Sequence, residues 1–211
     1  MIIACLDLEG VLLPEIWINV AEKTNIPELR LTTRDIKNYD ELMQHRLKIL
    51  KGKNIKLKDI KDIIDTLSPL PGAFEFLKKL QEKFQVIILS DTFYQFSMPL
   101  MKKLNFPVLF CHDLIINNEG FIENYKLRLK ELKMNSVLKL KELNFKIIAC
   151  GDSYNDVSMF SKADKGILFK PPQNVIDEFP QYPVTMDYDS LWMEFLKAED
   201  EINKQKVSYK T

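Results

Sequence analysis

Glycine, histidine and long apolar runs are all scarce in this sequence. The 211 residues contain six glycines, and neither G-x-G-x-x-G nor G-x-x-x-x-G-K-[ST] occurs, which argues against a nucleotide-binding dehydrogenase. The two histidines, His45 and His112, have no second ligand at metal spacing, so neither is expected to bind zinc. Catalysis is therefore not expected to depend on a pair of histidines.

Cysteine is also rare, with three residues in the whole chain. Cys5, Cys111 and Cys150 lie in or beside apolar runs, and none belongs to a C-x-x-C pair. We therefore expect three buried free thiols.

Excess charge of either sign is missing as well. Thirty basic residues balance thirty acidic ones, and no run of five or more like charges occurs, so no nucleic-acid or acidic-membrane partner is expected. No segment approaches the roughly 20 apolar residues that span a bilayer, and the residues before Asp7 do not resemble a signal peptide. We expect a cytoplasmic protein.

Apolar strand patterns alternate with amphipathic helix patterns over most of the chain. The runs 2–6, 85–92 and 145–151 fit strands that are covered on both faces. Strand, helix and strand in that order predict an α/β fold with a doubly wound, parallel, Rossmann-like sheet and helices on both faces. In such a sheet the ligand site lies outside the carboxyl ends of the strands.

Residues 14–71 show helix patterns but no strand pattern. With 46% hydrophobic residues, the chain has enough apolar material for one sizeable core and a smaller insertion. We therefore expect an α/β core formed by residues 1–13 and 72–211, with a helical insertion at 14–71. The polar end of the chain, from about residue 203, is expected to fray.

Each strong strand ends in polar residues: Asp7 with Glu9, Ser90 with Asp91, and Asp152 with Asn155 and Asp156. Carboxylates without a histidine or cysteine partner suit a hard cation, and Mg²⁺ binds to carboxylates, phosphate oxygens and water. Together with a hydroxyl and a lysine, such a cluster has the groups that phosphoryl transfer needs.

Simpler explanations exist for two of these ends taken alone. Asp7 and Glu9 fit a solvated acidic turn about as well as a functional site. Ser90 alone is best explained as the cap of the helix that follows it.

Two charged residues of the insertion stand out. Arg46 falls in the middle of the apolar face of a helix that ends near Lys51. Because an unpaired buried guanidinium costs several kcal/mol, Arg46 must reach solvent, meet a carboxylate, or point into an anion-binding cavity. Glu15 lies in the first turn of a helix predicted over residues 14–24, where the helix dipole favours a carboxylate without any function.

Taken together, DLEGV, the strand ending in SDT, a downstream lysine and GDSYND resemble the four motifs of the haloacid dehalogenase superfamily. The resemblance is greatest to its phosphoserine phosphatase branch. Within that branch it is greatest to bifunctional phosphoserine phosphatase/homoserine phosphotransferase proteins, which share runs similar to LDLEGVL, PEIW, TTRDI, ILSDTFY and AGDSYND. It covers nearly the whole chain up to the tail.

The resemblance implies a role for each acid. Asp7 is the implied nucleophile, which forms an aspartyl-phosphate, and Glu9 is the implied general acid and base. The cofactor implied is Mg²⁺, held by Asp7, Asp152 and the main-chain carbonyl of Glu9, with Asp156 as a water-mediated ligand or an anchor. The implied phosphate-binding groups are Ser90, the amide of Asp91, Lys133 and Asn155. Lys130 is a rival to Lys133.

The implied substrate is O-phosphoserine, and the insertion corresponds to the helical cap of this family. Glu15 and Arg46 occupy the positions that select the ammonium and the carboxylate of this substrate. Most phosphatases of the superfamily have aspartate where this chain has Glu9, and the bifunctional relatives share the glutamate. Homoserine is therefore a second implied partner, as the acceptor alcohol. Members of the family are often homodimers.

Two other functions stay open at this point. A phosphatase of another small phosphate metabolite would use the same groups. A phospho-receiver module also combines acids, Mg²⁺, a hydroxyl and a lysine on a doubly wound sheet, but the insertion of nearly sixty residues argues against it.

Overall fold

The computed structural model describes residues 1–32, 35–36 and 38–208. The TTRDI run therefore lies partly outside the described residues. Residues 209–211, at the predicted frayed end, also lie outside them.

Within the described residues the chain forms a seven-stranded sheet with the order β4-β3-β2-β1-β5-β6-β7. The strands are β1 (Ile2–Leu6), β2 (Gln85–Phe93), β3 (Val108–Ile116), β4 (Ile122–Lys126), β5 (Lys146–Gly151), β6 (Lys165–Phe169) and β7 (Val184–Thr185). All neighbouring strands are parallel except β3 and β4, which form an antiparallel hairpin. The predicted α/β fold with a mostly parallel sheet is confirmed.

Helices cover both faces of this sheet. They are α1 (Ile16–Thr24), α2 (Tyr39–Gly52), α3 (Leu57–Asp65), α4 (Ala73–Gln81), α5 (Tyr94–Lys103), α6 (Leu132–Glu142), α7 (Tyr154–Phe160), α8 (Gln173–Glu178) and α9 (Tyr188–Ser208). The side chains of β1 alternate between two apolar clusters, with Ala4 and Leu6 in one and Ile3 and Cys5 in the other. This two-residue period places helices on both sides of the strand.

The central strand β1 pairs with β2 on one side and β5 on the other. The order of the strands reverses at β1, so the crevice of the sheet opens at its carboxyl end. The amide of Asp7 extends the pairing by donating to the carbonyl of Cys150 at 2.8 Å. The first polar cluster of the sequence therefore begins where the crevice begins.

Helices α1, α2 and α3 lie between β1 and β2 in the chain, and α2 and α3 contact the β3–β4 hairpin. The main-chain amide of Leu57 donates to the carbonyl of Gly120 at 3.0 Å, and the side-chain amide of Gln44 donates to Oδ1 of Asn124 at 3.3 Å. At the other end of the insertion, the amide of Leu70 donates to the carbonyl of Leu12 at 3.0 Å. Both the hairpin and the segment that follows β1 therefore hold the helical insertion.

Several helix boundaries differ from the predicted ones. Helix α1 begins at Ile16, so Glu15 is its N-cap residue rather than part of its first turn. Helix α6 begins at Leu132, after Glu131 in a left-handed conformation (φ 52°), which places Lys133 inside the first turn. Ser90 lies within β2, and α5 follows Phe93, so the prediction that Ser90 caps a helix is wrong.

Further differences concern short or terminal segments. The two apolar runs VLFC and LII, separated by His112 and Asp113, form one continuous strand, β3. Strand β7 has two residues, too few to show a period in the sequence. Helix α9 extends to Ser208. The prediction that the chain frays from about residue 203 is therefore wrong for residues 203–208.

The three cysteines are free and buried, as expected. Among the described helices, none is both long and apolar enough to cross a membrane.

Candidate active site

The carboxyl ends of β1, β2 and β5 meet at a cavity of about 200 Å³. Nine of the ten predicted site residues line it: Asp7, Glu9, Glu15, Arg46, Ser90, Asp91, Lys133, Asp152 and Asn155. The tenth, Asp156, lies beneath it and is fully buried. The structure therefore brings together residues that span almost 150 positions of the chain.

Three carboxylates form the floor of the cavity. Asp7, Asp152 and Asp156 each place an oxygen within 4.8 Å of the others. Burial, followed by the charge of Asp156, raises the pKa of Asp7 well above its usual range and that of Asp152 to about 7. Because the cluster offers hard oxygen donors and an excess of negative charge, it fits a small divalent cation such as Mg²⁺.

Lys133 is the cation of this cluster. Its Nζ lies 2.9 Å from Oδ1 of Asp7 and 2.8 Å from Oδ1 of Asp156. Burial opposes the charge of the ammonium, but these carboxylates hold the pKa of Lys133 well above its ordinary value. Lys130 is exposed and lines a neighbouring cavity instead. Lys133, rather than Lys130, is therefore the lysine that belongs to the acid cluster.

The carboxylate of Asp156 is already used within the fold. Its Oδ2 accepts hydrogen bonds from the amides of Asp152 and Ser153, both at 3.0 Å, and it completes a capping box with Ser153 at the start of α7. Asp156 thereby fixes the loop that carries Asp152. The arrangement suits an anchor better than a direct metal ligand.

Glu9 is placed to hold and release a proton. Its Oε2 accepts a hydrogen bond from the amide of Ile16 at 2.7 Å, which ties it to the start of α1. Burial around the carboxyl, with a further contribution from the charge of Glu15, raises the pKa of Glu9 to about 8. A carboxyl with such a pKa is protonated at neutral pH and can act as a general acid.

Two polar side chains complete the rim of the acid cluster. The hydroxyl oxygen of Ser90 accepts a hydrogen bond from the amide of Thr92 at 3.2 Å, so its proton is directed elsewhere and can be donated to a ligand. Asn155 is exposed near the start of α7 and lines the cavity. Both can donate to oxygens of a bound anion.

Arg46 is 6% exposed and lines the same cavity. Within the described residues no carboxylate pairs with it. Its guanidinium lies 4.5 Å from the ring centroid of Trp17, and Nη2 donates to the carbonyl of Leu31 at 2.7 Å. Its Nε is buried without a partner. Of the three outcomes expected for Arg46, the structure shows a cavity that suits an anion.

The ammonium-binding candidate, Glu15, lines the same cavity as Arg46. Burial lowers the pKa of Arg46 to about 10, so the guanidinium is still charged at neutral pH. The insertion therefore presents one anion and one cation to the cavity. Such a pair matches a ligand that carries both an ammonium and a carboxylate.

Three residues that sequence reasoning did not assign to the site also belong to it. Trp17 packs against Arg46, although its position in the α1 pattern indicated only an apolar face. The hydroxyl of Tyr39 donates to the carbonyl of Asp91 at 3.0 Å, and His112 contacts the Asp91 side chain. The PEIW run was the signal for Trp17, and no local signal marks the other two.

Two glycines make room for the carboxylates. Gly10 has φ +78°, and a β-carbon there would lie 2.5 Å from Cγ of Asp152. At Gly151 a β-carbon would lie 2.1 Å from Cγ of Asp156. Each glycine therefore allows a side chain of the acid cluster to approach the backbone.

Comparison with known proteins agrees with this geometry. A sequence model of the haloacid dehalogenase-like hydrolases matches residues 4–164. The chain belongs to this family. The match runs from β1 to the residue before β6, so it includes all ten predicted site residues.

Two curated relatives are similar over 94% of this chain. A phosphoserine phosphatase of Pseudomonas syringae pv. tomato is 58% identical, with 84% of its own length covered. The phosphoserine phosphatase ThrH of Pseudomonas aeruginosa is 57% identical, with 97% of its length covered.

Solved structures show the same fold. The phosphoserine phosphatase from T. onnurineus in complex with NDSB-201 has a TM-score of 0.68 and 25% identity, covering 90% of this chain and 91% of that one. A phosphoserine phosphatase in apo form has a TM-score of 0.71 at 23% identity, covering 86% and 91% of the two chains.

The approach of Gly10 to Asp152 leads to a prediction about stability. Gly10→Ala is expected to lower the free energy of unfolding by about 1–2 kcal/mol from the left-handed backbone alone, and by more from the clash with Asp152. Urea unfolding followed by circular dichroism measures this change. Gly52→Ala is the matched control, because a β-carbon at Gly52 meets nothing within 4 Å. Equal stability of the two variants would contradict the close-approach argument.

Proposed function

We propose that this protein is a Mg²⁺-dependent phosphoserine phosphatase that acts through an aspartyl-phosphate on Asp7. One observation carries the proposal: a single cavity is lined both by the carboxylate and ammonium cluster and by the pair Glu15 and Arg46. The cluster suits a phosphoryl group and the pair suits an amino acid. The names of the two Pseudomonas relatives support the same substrate.

The first half of the reaction uses Asp7 and Glu9. A carboxylate oxygen of Asp7 forms a bond to phosphorus, and the bond between phosphorus and the serine oxygen breaks. The proton held by Glu9 passes to that oxygen, so serine leaves as an alcohol.

The second half returns the enzyme to its starting state. Water loses a proton to Glu9 and attacks phosphorus, the bond from phosphorus to Asp7 breaks, and phosphate is released.

The phosphoryl oxygens need positive charge and hydrogen-bond donors throughout. We assign the donors to the hydroxyl of Ser90, the amide of Asp91, the ammonium of Lys133 and the side chain of Asn155. Mg²⁺ would be held by Asp7, Asp152 and the main-chain carbonyl of Glu9, and when bound it supplies charge that stabilises the transferring group. Asp156 orients Asp152 and Lys133 through the contacts described above.

Residues 14–71 act in this proposal as a cap over an α/β core formed by residues 1–13 and 72–211. The contacts of α2 and α3 with the β3–β4 hairpin support it, because they attach α2, which carries Arg46, to the edge of the core sheet. Arg46 binds the carboxylate of phosphoserine and Glu15 its ammonium. The cytoplasmic location and the homodimer stay predictions.

Replacement of the nucleophile tests the core of the proposal. Asp7→Asn is expected to reduce release of phosphate from O-phosphoserine in the presence of Mg²⁺ by at least about 10³-fold, because the amide is a poor nucleophile. A phosphate-release assay measures the rate, and Asp62→Asn, an exposed change on α3, is the control with unchanged activity. Full turnover by Asp7→Asn would rule out the mechanism.

Arg46 tests the choice of substrate. Arg46→Ala is expected to raise KM for phosphoserine about tenfold or more, because a charged hydrogen-bond partner of the carboxylate is lost. KM for 4-nitrophenyl phosphate, which has no carboxylate, is expected to stay the same. Equal losses on both substrates would show that Arg46 does not bind a carboxylate, and a phosphatase of another small phosphate would then be favoured.

Glu9 favours a second activity, transfer of the phosphoryl group to homoserine. A glutamate carries one methylene more than the aspartate of most relatives in the superfamily, so its carboxyl reaches further toward an acceptor alcohol. With phosphoserine and saturating homoserine we expect phosphohomoserine, detected by phosphorus NMR, and Glu9→Asp is expected to reduce its share relative to free phosphate. Formation of free phosphate alone by the unaltered chain would contradict the transferase activity.

A further inference from the structure

A buried histidine lies beside the acid cluster and has no part in the mechanism above. His112 on β3 is 3% exposed. The rings of Tyr39 and Phe93 lie next to it, each with its centroid 6.4 Å from that of the imidazole. A buried ionisable side chain beside a reaction site requires an explanation.

Hydrogen bonding fixes which nitrogen of His112 carries the proton. Nδ1 accepts a hydrogen bond from the amide of Arg128 at 3.2 Å, so Nδ1 is unprotonated and the proton of the neutral ring is on Nε2. The Arg128 guanidinium holds this backbone in place by donating to the carbonyl of Cys111 at 2.9 Å and pairing with Asp113 at 3.2 Å. The donor of His112 is therefore fixed in direction.

That donor faces Asp91. Nε2 lies 3.6 Å from Oδ1 of Asp91, and the other oxygen of the same carboxylate lies 4.0 Å from Nζ of Lys133. Both distances exceed a normal hydrogen bond. We expect both distances to shorten when substrate binds, as catalytic hydrogen bonds often do.

The Asp91 carboxylate is not needed for the phosphate contact assigned to Asp91, because its main-chain amide makes that contact. A free carboxylate at this point would repel a phosphoryl group. Facing His112 and Lys133, it has a donor on one side and a cation on the other. Lys133 already directs two N–H groups to Asp7 and Asp156, and Asp91 lies near enough to orient the third.

We propose that His112 is a positioning residue that acts through the Asp91 carboxylate to orient the Lys133 ammonium toward the transferring phosphoryl group. The inference rests on the proposed phosphatase function, but not on phosphoserine as the substrate. His112 holds Asp91 through Nε2 and Oδ1. Asp91 in turn fixes the direction of the ammonium.

A pair of substitutions distinguishes the role of Nε2 of His112 from that of Nδ1. His112→Gln keeps a donor near the position of Nε2, whereas His112→Asn keeps an acceptor near Nδ1 and loses that donor. We expect His112→Asn to lower kcat for 4-nitrophenyl phosphate with Mg²⁺ about tenfold, the cost of a hydrogen bond to a charged group. His112→Gln is expected to restore most of kcat. A purely structural role through Nδ1 predicts the reverse order.

A double-mutant cycle tests whether His112 acts through Asp91. Asp91→Asn removes the charge and keeps the main-chain amide, and its side chain is about one third exposed, so the variant is expected to fold. We expect Asp91→Asn to lower kcat by about the same factor, and His112→Asn to cause no further loss in that background. The same loss in both backgrounds would overturn the proposal.

Controls keep the outcomes distinct. Asp113→Asn, which loses only the exposed pair with Arg128, is expected to keep full activity, and a loss equal to that of His112→Asn would assign the effect to Arg128 instead. Thermal unfolding checks each variant, and if His112→Asn does not fold, unchanged kcat of Asp91→Asn alone refutes the proposal. If the unaltered chain turns over 4-nitrophenyl phosphate but not phosphoserine, the proposed substrate is rejected. The double-mutant cycle, which is measured with 4-nitrophenyl phosphate, can still be interpreted.

Discussion

The concentration of negative charge at the end of β1 is the constraint on which the rest of the structure depends. Asp7, Asp152 and Asp156 each place a carboxylate oxygen within 4.8 Å of the others in a largely buried space, and such an arrangement is unstable without compensation. Lys133 supplies a full positive charge, the amides at the start of α7 supply partial ones, and the pKa of Asp7 rises. The residual negative charge is what makes the site suited to a divalent cation.

Much of the fold and half of the site can be predicted from the sequence, because short local patterns of apolar and polar residues determine them. An apolar run that stops at a polar residue marks the end of a strand, and parallel strands align their carboxyl ends. That reasoning alone unites Asp7, Ser90 and Asp152. The unusual environment of Arg46 was predictable for a similar reason. Its position on the apolar face of α2 placed a charge among buried side chains, and few environments can stabilise a buried guanidinium.

The rest depends on contacts between distant segments or on a single backbone angle. Tyr39 reaches Asp91 across 52 positions of the chain, and no pattern around either residue indicates it. Whether Lys130 or Lys133 enters the cluster is decided by Glu131, whose left-handed conformation sets where α6 begins. The tautomer of His112 depends on a backbone amide 16 residues away. Such features arise from packing, which sequence periodicity does not encode.

The central place of β1 has a consequence for how the molecule is made. Its partners are far along the chain, with Ile3 paired to Gln85 and Ile2 to Lys146. Contacts of such long range form late during folding. During synthesis, Asp7 leaves the ribosome well before Asp152, Asp156 and Lys133 exist. The nascent chain therefore carries the proposed nucleophile as an ordinary aspartate, and its buried charged surroundings form only after residues 133–156 have been translated.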